Sequence, residues 1–486
     1  MSDIRLATSP FGNFVVHAAA GTGKTWLLTS RIIRLLLAGS APGSILAITF
    51  TRKAAAEIQE RLLSRLLQLA GAPETDVEQQ LSEIGADTDA GARSLARRLY
   101  EKVLTAEQTL RITTFHAFCQ ELLQRFPLES GLPPGFQLIE STAELEHLAW
   151  QLLETEIRLN SDSPLARSMD TLLRLTGSPI AARSALMAFL AQRSDWWAFT
   201  EAQPDPVNFA EKYASGLLPV GIETPETSDA SRRSLIDLLA QYARALVKHP
   251  IKTNLANITR IEQATQGSTP TEALLGLQVG LFADSNGKRK SIAPTATLEK
   301  KLGPQGVTEF IALHDAIADQ LEQWQQQRLA QRNLERNIAW FACGHALLEK
   351  FQSIKLQRGV LDFSDLEWRA YKLLTDTDQA QWVQYKLDQR IDHLLVDEFQ
   401  DTNPTQWHLI YPLLDEMAAG QGDRDRSAFI VGDIKQSIYR FRRAAPDLFQ
   451  HARNWMTLNM GAEAASQHKS YRSSPAIIEF VNLVAV

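Results

Sequence analysis

A glycine-containing segment near the amino terminus has the residue types that bind phosphate groups. Residues 17–25 (HAAAGTGKT) follow the apolar run FVV and precede the helix-forming residues WLL. Glycines let backbone N–H groups approach phosphates, Lys24 can reach the β- and γ-phosphates, and the Thr25 hydroxyl can ligate Mg²⁺. We expect the Lys24 side chain to be exposed for this purpose. The predicted nucleotide-binding residues are Ala20, Gly21, Thr22, Gly23, Lys24, Thr25 and Trp26.

A second segment places two acids directly after an apolar run. Residues 391–396 (IDHLLV) predict a buried strand, and Asp397 and Glu398 follow it. Open α/β sheets bind ligands at the carboxyl ends of their strands. We therefore predict that Asp397 holds Mg²⁺ together with Thr25, and that Glu398 polarises the attacking water. The alternative is a charged surface turn, but the apolar run stops abruptly at the acids.

Composition limits the classes of protein to which the chain can belong. With 486 residues, of which 44% are hydrophobic and 22% charged, it is an ordinary globular sequence too long for one core. Its two cysteines, Cys119 and Cys343, have no metal-ligand spacing. We find no signal peptide and no apolar run long enough for a membrane helix, so a cytoplasmic protein is expected. The net charge of −6 means that any DNA site must be a local groove.

Strands and helices alternate at both ends of the sequence. Strands are predicted at residues 14–17, 45–49, 110–114, 391–396 and 428–431, and helices at residues 25–38, 53–70 and 116–126. This alternation is typical of an α/β fold with a parallel sheet flanked by helices, and the segment HAAAGTGKT adds a P-loop to it. Lys24 and Asp397 lie much farther apart than a compact nucleotide-binding domain requires. A large inserted domain must therefore lie between them.

The inserted residues are predicted to be mostly helical. A pattern typical of a capping box at residues 141–144 precedes spaced leucines, and a helical pattern with few breakers covers residues 308–357, with Gly359 as its stop. A polar loop in between contains Lys288, Arg289 and Lys290. These cations form either a solvated surface or a contact with a duplex backbone.

Three further segments have residues that suit nucleic acid. Residues 47–57 and 112–119 each predict a strand, a polar turn and a helix start, with hydroxyls and an aromatic ring at the carboxyl end of the strand. In residues 429–442, Gln436 can sense a γ-phosphate, and aromatic rings alternate with arginines as in single-strand platforms. Phe50 and Phe118 could instead be core residues. The predicted contacts are Phe50, Thr51, Lys53, Thr114, His116, Tyr439, Phe441 and Arg442.

Together with residues 469–475 (KSYRSSP), these motifs resemble the helicase motifs of superfamily 1, UvrD/Rep type. Residues 432–442 (GDIKQSIYRFR) and the alanine-rich loop are most similar to the AddA/RecB branch, because UvrD and Rep more often have Trp at the position of Phe441. Residues 360–366 (VLDFSDL) resemble a further segment of these helicases. The resemblance covers about residues 1–130 and 358–486, and six motifs occur in the family's order.

This resemblance implies roles that the residues alone do not. Gln436 would couple the γ-phosphate to DNA, Tyr471 would pack on adenine, and Arg472 would act in catalysis from a second motor domain. ATP and Mg²⁺ are the implied cofactors, and DNA and a second helicase–nuclease subunit the implied partners. The implied domains are a RecA-like motor domain at residues 1–140 and 351–460, a helical insertion at 141–350, and the start of a second RecA-like domain at 461–486.

The implied function is the motor portion of a 3′–5′ DNA helicase in double-strand-break repair. Two alternatives stay open: a UvrD/Rep-like repair helicase without a nuclease, and an ATP-dependent DNA-binding module that does not translocate. Residues 4–10 (IRLATSP) lack the glutamine with which these helicases usually read adenine. The sequence ends shortly after Tyr471, so we expect the amino-terminal part of a longer helicase, with weak ATP hydrolysis of its own.

Overall fold

The computed structural model describes residues 6–133, 135–217, 229–266, 270–375, 377–388, 390–420, 424–440, 443–467, 469, 471 and 474–484. Contacts divide the chain into two compact units. The sheet unit consists of Met1–Thr142 and Lys355–Val486, and the helical unit of Ala143–Ile354. We propose that these units are the motor domain and the insertion that the resemblance implies.

Eight strands are described in the sheet unit: β1 (Phe14–Ala18), β2 (Ile45–Thr49), β3 (Arg111–Thr114), β4 (Gln137–Leu138), β5 (Val360–Leu361), β6 (His393–Val396), β7 (Ser427–Gly432) and β8 (Glu463–Gln467). Six of them form one sheet in the order β3-β2-β6-β7-β1-β8, and each pairs with its neighbours in parallel. β4 and β5 form a separate parallel pair. The predicted α/β class with a parallel sheet is therefore confirmed.

The central strands of the main sheet, β2, β6 and β7, are buried on both faces. Along β2, Leu46 and Ile48 pack into one hydrophobic core, whereas Ile45 and Ala47 pack into the other. Side chains of a strand alternate between the two faces, so a strand covered on both sides must be continuously apolar. This explains why the apolar runs predicted β1, β2, β6 and β7 to within about two residues of their observed ends. The partly buried edge strand β3, with the sequence RITT, begins one residue after its predicted start.

Helices cover both faces of this sheet. The three predicted helices are confirmed as Lys24–Leu37, Arg52–Gly71 and Phe115–Arg125. The other described helices of this unit are Glu74–Ile84, Ala90–Leu104, Pro127–Ser130, Phe363–Thr375, Thr377–Asp388, Pro404–Ala419, Asp447–Met460 and Pro475–Val484. Short 3₁₀ turns occupy Pro42–Ser44, Phe399–Asp401 and Ile434–Gln436. In the part of the chain that the structure describes, no helix is long and apolar enough to cross a membrane.

The edge strand β8 belongs to the main sheet, which the sequence did not predict. The sequence assigned residues from 461 onward to a second domain, but Glu463–Gln467 pairs in parallel with Phe14–Ala18 and extends the first sheet. Its sequence, EAASQ, has no β-branched or aromatic residue and therefore carries little strand signal. Its position at the sheet edge, next to only one neighbour, explains why most of it is exposed and polar.

The helical unit contains Ala143–Leu159, Pro164–Thr176, Pro179–Ala191, Arg193–Phe199, Pro206–Gly216, Asp229–Val247, Lys252–Gln266 and Pro270–Gly276. A last helix, Ala296–Arg358, bends at Gly303, where φ is 76°, and continues past the boundary of the unit. Gly359, with φ of 64°, follows its end and confirms the predicted stop. In the loop before this helix, Arg289 forms ion pairs with Asp315 and Asp319, so its charge is neutralised within the unit.

A buried ionic cluster lies in the sheet unit near that helix end. Lys355 Nζ is 2.9 Å from Asp362 Oδ2 and also contacts Asp365 Oδ2. Their side chains are 1%, 6% and 2% exposed, so the three charges are shielded from water. Both acids belong to the segment VLDFSDL. Separating the members of such a cluster would leave buried charges without partners, so the cluster holds this segment against Lys355.

Candidate active site

The predicted phosphate-binding segment forms the turn between β1 and the helix Lys24–Leu37. Gly21 and Gly23 have φ angles of 74° and 91°, a region that favours glycine. The Thr22 hydroxyl donates to the carbonyl of Ala19 over 2.7 Å, which closes the turn. Gly23 is the N-cap, and no side chain caps the helix. Backbone N–H groups at this helix start therefore remain suited to an anion.

The basic and acidic motifs meet at one place. Lys24 Nζ contacts Glu398 Oε2, although the two residues are 374 positions apart. The Lys24 side chain is only 10% exposed. The expectation that Lys24 is exposed is therefore wrong, because Lys24 is paired with Glu398. No pattern in the sequence indicates that this charged partner lies so close. Glu398 has a positive φ of 50°, uncommon for a residue with a side chain, in the turn that directs it toward Lys24.

Asp397 has the surroundings that a cation ligand requires. It is 5% exposed, and its Oδ1 atom has no hydrogen-bond partner among the described residues. Burial, together with the nearby Glu398 charge, raises the pKa of Asp397 to about 7. A divalent cation would offset both effects, since carboxylate oxygens are preferred ligands of Mg²⁺. Thr25, the other predicted ligand, lies in the first turn of the helix Lys24–Leu37. The residues present therefore fit the implied ion.

Gln400 connects the acids to the end of β7, a role that the sequence did not reveal. Its Nε2 donates to Glu398 Oε2 over 2.8 Å, and its Oε1 accepts from the backbone N–H of Asp433 over 2.9 Å. A Cβ atom at Gly432 would lie 2.6 Å from Gln400 Oε1, so a larger residue there would displace the Gln400 amide. The one available signal was the amide among the acids of the DEFQD segment.

Gln436 lies in the 3₁₀ turn that follows β7. Its Nε2 contacts Asp433 Oδ2, and Asp433 Oδ1 is 3.4 Å from His17 Nε2 at the end of β1. Asp433 is 4% exposed. The side chain of Gln436 is therefore linked through Asp433 and Gln400 to Glu398.

Two of the predicted stacking residues are in contact. The ring centroids of Phe50 and Tyr439 are 4.6 Å apart at an interplanar angle of 31°. They follow β2 and β7, so the parallel sheet brings both to its carboxyl edge. Phe118, in contrast, is 2% exposed and lies in the core, which is the alternative that the sequence left open.

The polar residues of the predicted nucleic-acid motifs begin helices. Thr51 accepts from the Ala54 N–H over 3.0 Å, and Thr114 accepts from the Ala117 N–H over 3.2 Å. Both are therefore N-caps. Lys53, in the first turn after Thr51, is exposed.

His116 has a partner that the sequence did not reveal. Its Nε2 is 2.9 Å from Oε1 of the buried Glu367, and its ring lies 4.5 Å from the ring of Phe363. Both partners belong to the helix Phe363–Thr375.

The remaining predicted residues are placed as follows. The Trp26 ring lies below the Arg65 guanidinium at 5.5 Å. Tyr471 is 64% exposed, and its N–H donates to the Gly21 carbonyl over 2.8 Å. Phe441, Arg442 and Arg472 lie outside the described residues.

Comparison with known proteins shows the family. The chain is 27% identical to an ATP-dependent helicase/nuclease subunit of Levilactobacillus brevis, over 97% of this chain and 37% of that protein. It is also 27% identical to the proteins of the same description from Listeria monocytogenes, over 90% of this chain and 35% of that protein, and Latilactobacillus sakei, over 97% and 53%. The chain thus spans about a third to a half of these relatives. The UvrD/REP helicase N-terminal domain model matches residues 3–456, and the chain therefore belongs to the UvrD/REP helicase family.

Proposed function

We propose that this chain is the ATP-binding and single-strand-DNA-contacting motor portion of a 3′–5′ DNA helicase. The contact between Lys24 and Glu398 carries the proposal. It joins the phosphate-loop lysine to the water-polarising acid, and a site that hydrolyses a nucleotide needs both at the same phosphate. The names of the relatives favour a subunit of a helicase–nuclease over a repair helicase without a nuclease.

Different residues of the site would bind the phosphates, hold the ion and activate the water. The backbone of residues 19–23 and the Lys24 ammonium would bind phosphate oxygens, and Thr25 and Asp397 would hold Mg²⁺. The ion, when bound, neutralises charge on the β- and γ-phosphates. Glu398 would orient a water and accept its proton, while Gln400 keeps the Glu398 carboxylate in place through its 2.8 Å hydrogen bond.

The same side-chain network offers a route from nucleotide to nucleic acid. Gln436 contacts Asp433, whose backbone N–H donates to Gln400. Three residues beyond Gln436 is Tyr439, whose ring lies on Phe50. A base stacked on this pair would therefore be connected to Glu398 by the chain segment from Tyr439 to Gln436, and from there by the hydrogen bonds of Gln436, Asp433 and Gln400. We propose that this connection makes hydrolysis depend on DNA, which a clamp that does not translocate would not require.

Nucleotide binding by a Lys24→Ala variant tests the proposal. Loss of the ammonium should weaken the binding of a fluorescent ATP analogue by about 10- to 100-fold, the usual cost of a charge-assisted hydrogen bond. Lys301→Ala is the matched control, because Lys301 is an exposed lysine of the helical unit. Equal affinities of the Lys24→Ala variant and the parent chain would contradict the phosphate-loop assignment.

A further inference from the structure

We infer that Gln467, the last residue of β8, is a positioning residue that orients the phosphate loop. This inference rests on the proposed nucleotide site. Gln467 Nε2 contacts the carbonyl oxygen of Thr22 in the loop. A carbonyl oxygen only accepts hydrogen bonds, so the donating amide nitrogen must face it.

The backbone beside Gln467 reinforces this contact. Parallel pairing places Ala18 opposite Gln467, and the Ala19 N–H donates to the Gln467 carbonyl over 3.4 Å. A few residues later, the Tyr471 N–H donates to the Gly21 carbonyl over 2.8 Å. Successive carbonyls of the loop, at Gly21 and Thr22, are therefore held by the segment that begins with β8.

Because the peptide between Thr22 and Gly23 is planar, a contact that fixes the Thr22 carbonyl also fixes the direction of the Gly23 N–H. In a planar trans peptide the C=O of one residue and the N–H of the next point in opposite directions. With the Thr22 carbonyl directed toward Gln467, the Gly23 N–H points away from Gln467. The loop would otherwise be free to rotate this peptide, because Gly21 and Gly23 flank Thr22 and both have positive φ. Gln467 thus limits that rotation and keeps one donor of the loop turned toward the phosphates.

The surroundings of the Gln467 amide indicate that the Thr22 carbonyl is its main contact. Gln467 is 4% exposed, and its Oε1 atom has no hydrogen-bond partner among the described residues. A buried amide with an unsatisfied oxygen is costly, so an apolar residue of similar length would be preferred on stability alone. Gln467 Nε2 would also lie 3.9 Å from a Cβ atom at Gly23, an ordinary van der Waals distance, so the amide is in contact with the loop.

The experiment compares Gln467→Met with Ser466→Ala in the whole 486-residue chain. Methionine keeps the length and removes the amide, whereas Ser466 is the exposed neighbour on the same strand. We expect Gln467→Met to weaken the binding of a fluorescent ATP analogue about five- to tenfold, the size of one hydrogen bond. The Tm without nucleotide should stay the same or rise, while the increase in Tm caused by the nucleotide becomes smaller. Ser466→Ala should change neither quantity.

A second variant distinguishes orientation from general packing. In Gln467→Glu, an ionised carboxylate would face the Thr22 carbonyl and repel it, whereas a protonated carboxyl could donate to it. The affinity of Gln467→Glu relative to Gln467→Met should therefore rise as the pH falls. If folded Gln467→Met binds the analogue as tightly as the parent chain, or if this ratio does not change with pH, the inference is wrong while the proposed function stands. If the parent chain binds no nucleotide, both are wrong.

Discussion

His116 and Glu367 are in hydrogen-bonding contact at the edge of the core, with 2.9 Å between Nε2 and Oε1. Glu367 also accepts from Asn403 Nδ2 over 3.0 Å and from Gln406 Nε2 over 2.6 Å. Burial alone would raise the pKa of Glu367, but the hydrogen bonds from these three side chains outweigh it and lower the pKa. One carboxylate thus joins the helix start after β3 to the helix that follows the acid pair Asp397–Glu398.

This relationship changes how the predicted role of His116 is understood. The sequence placed His116 among the nucleic-acid contacts because it follows a strand and begins a helix. In the structure its Nε2 is occupied by Glu367 and its ring lies on Phe363. We propose that His116 chiefly positions the helix start, while the hydroxyl of Thr114 caps it.

Glu398→Gln should bind ATP but hydrolyse it about 10²–10⁴ times more slowly, the usual contribution of a general base. The glutamine oxygen can still accept from Lys24, so the ammonium keeps a partner. Hydrolysis with saturating single-stranded DNA and binding of a fluorescent ATP analogue are the two measurements. Asp415→Asn, an exposed acid-to-amide change in the helix Pro404–Ala419, is the control. Parallel loss of binding and turnover would assign Glu398 a structural role instead.

The sequence predicted this acid pair because a strand buried on both faces must be apolar throughout and ends visibly where charges begin. It did not predict Gln400 or Glu367 as parts of the site. Their roles depend on contacts with Asp433 and His116, which are distant in the sequence and are brought near only by the order of the strands. β8 was missed for a related reason, since an edge strand of small and polar residues has no periodic apolar pattern.

Phe50→Ala and Tyr439→Ala should each weaken binding of an oligothymidine strand by about 1–3 kcal/mol, the usual value of one base stacked on an aromatic ring. Because the rings are in contact at 4.6 Å, the double variant should lose less than the sum of the two single losses. Fluorescence anisotropy at fixed salt measures these affinities. Tyr385→Ala, which removes an exposed ring from the helix Thr377–Asp388, is the matched control. Strictly additive losses would indicate two separate binding positions.

His393, the first residue of β6, should make the fold sensitive to mild acid. It is 3% exposed. Its Nε2 lies 2.9 Å from Ser40 Oγ, and its Nδ1 lies 2.9 Å from Ser427 Oγ. Burial, and next the positive charge of Arg31, lower the pKa of His393 from 6.5 to about 4. The serine hydroxyls are neutral and can donate to or accept from the uncharged ring. The folded chain therefore holds a neutral histidine that the unfolded chain protonates at higher pH.

The sign of the effect follows from proton binding. Between pH 6.5 and about 4 the unfolded chain carries a proton on His393 that the folded chain lacks, so the free energy of unfolding falls as the pH falls through this range. The full difference is on the order of 3 kcal/mol. His393→Asn keeps hydrogen-bonding groups for the serines and cannot titrate, so its Tm should decrease less between about pH 7 and pH 4 than the Tm of the parent chain. His451→Asn, at an exposed histidine, should retain the parent dependence. Equal acid sensitivity of His393→Asn and the parent chain would show that other groups control it.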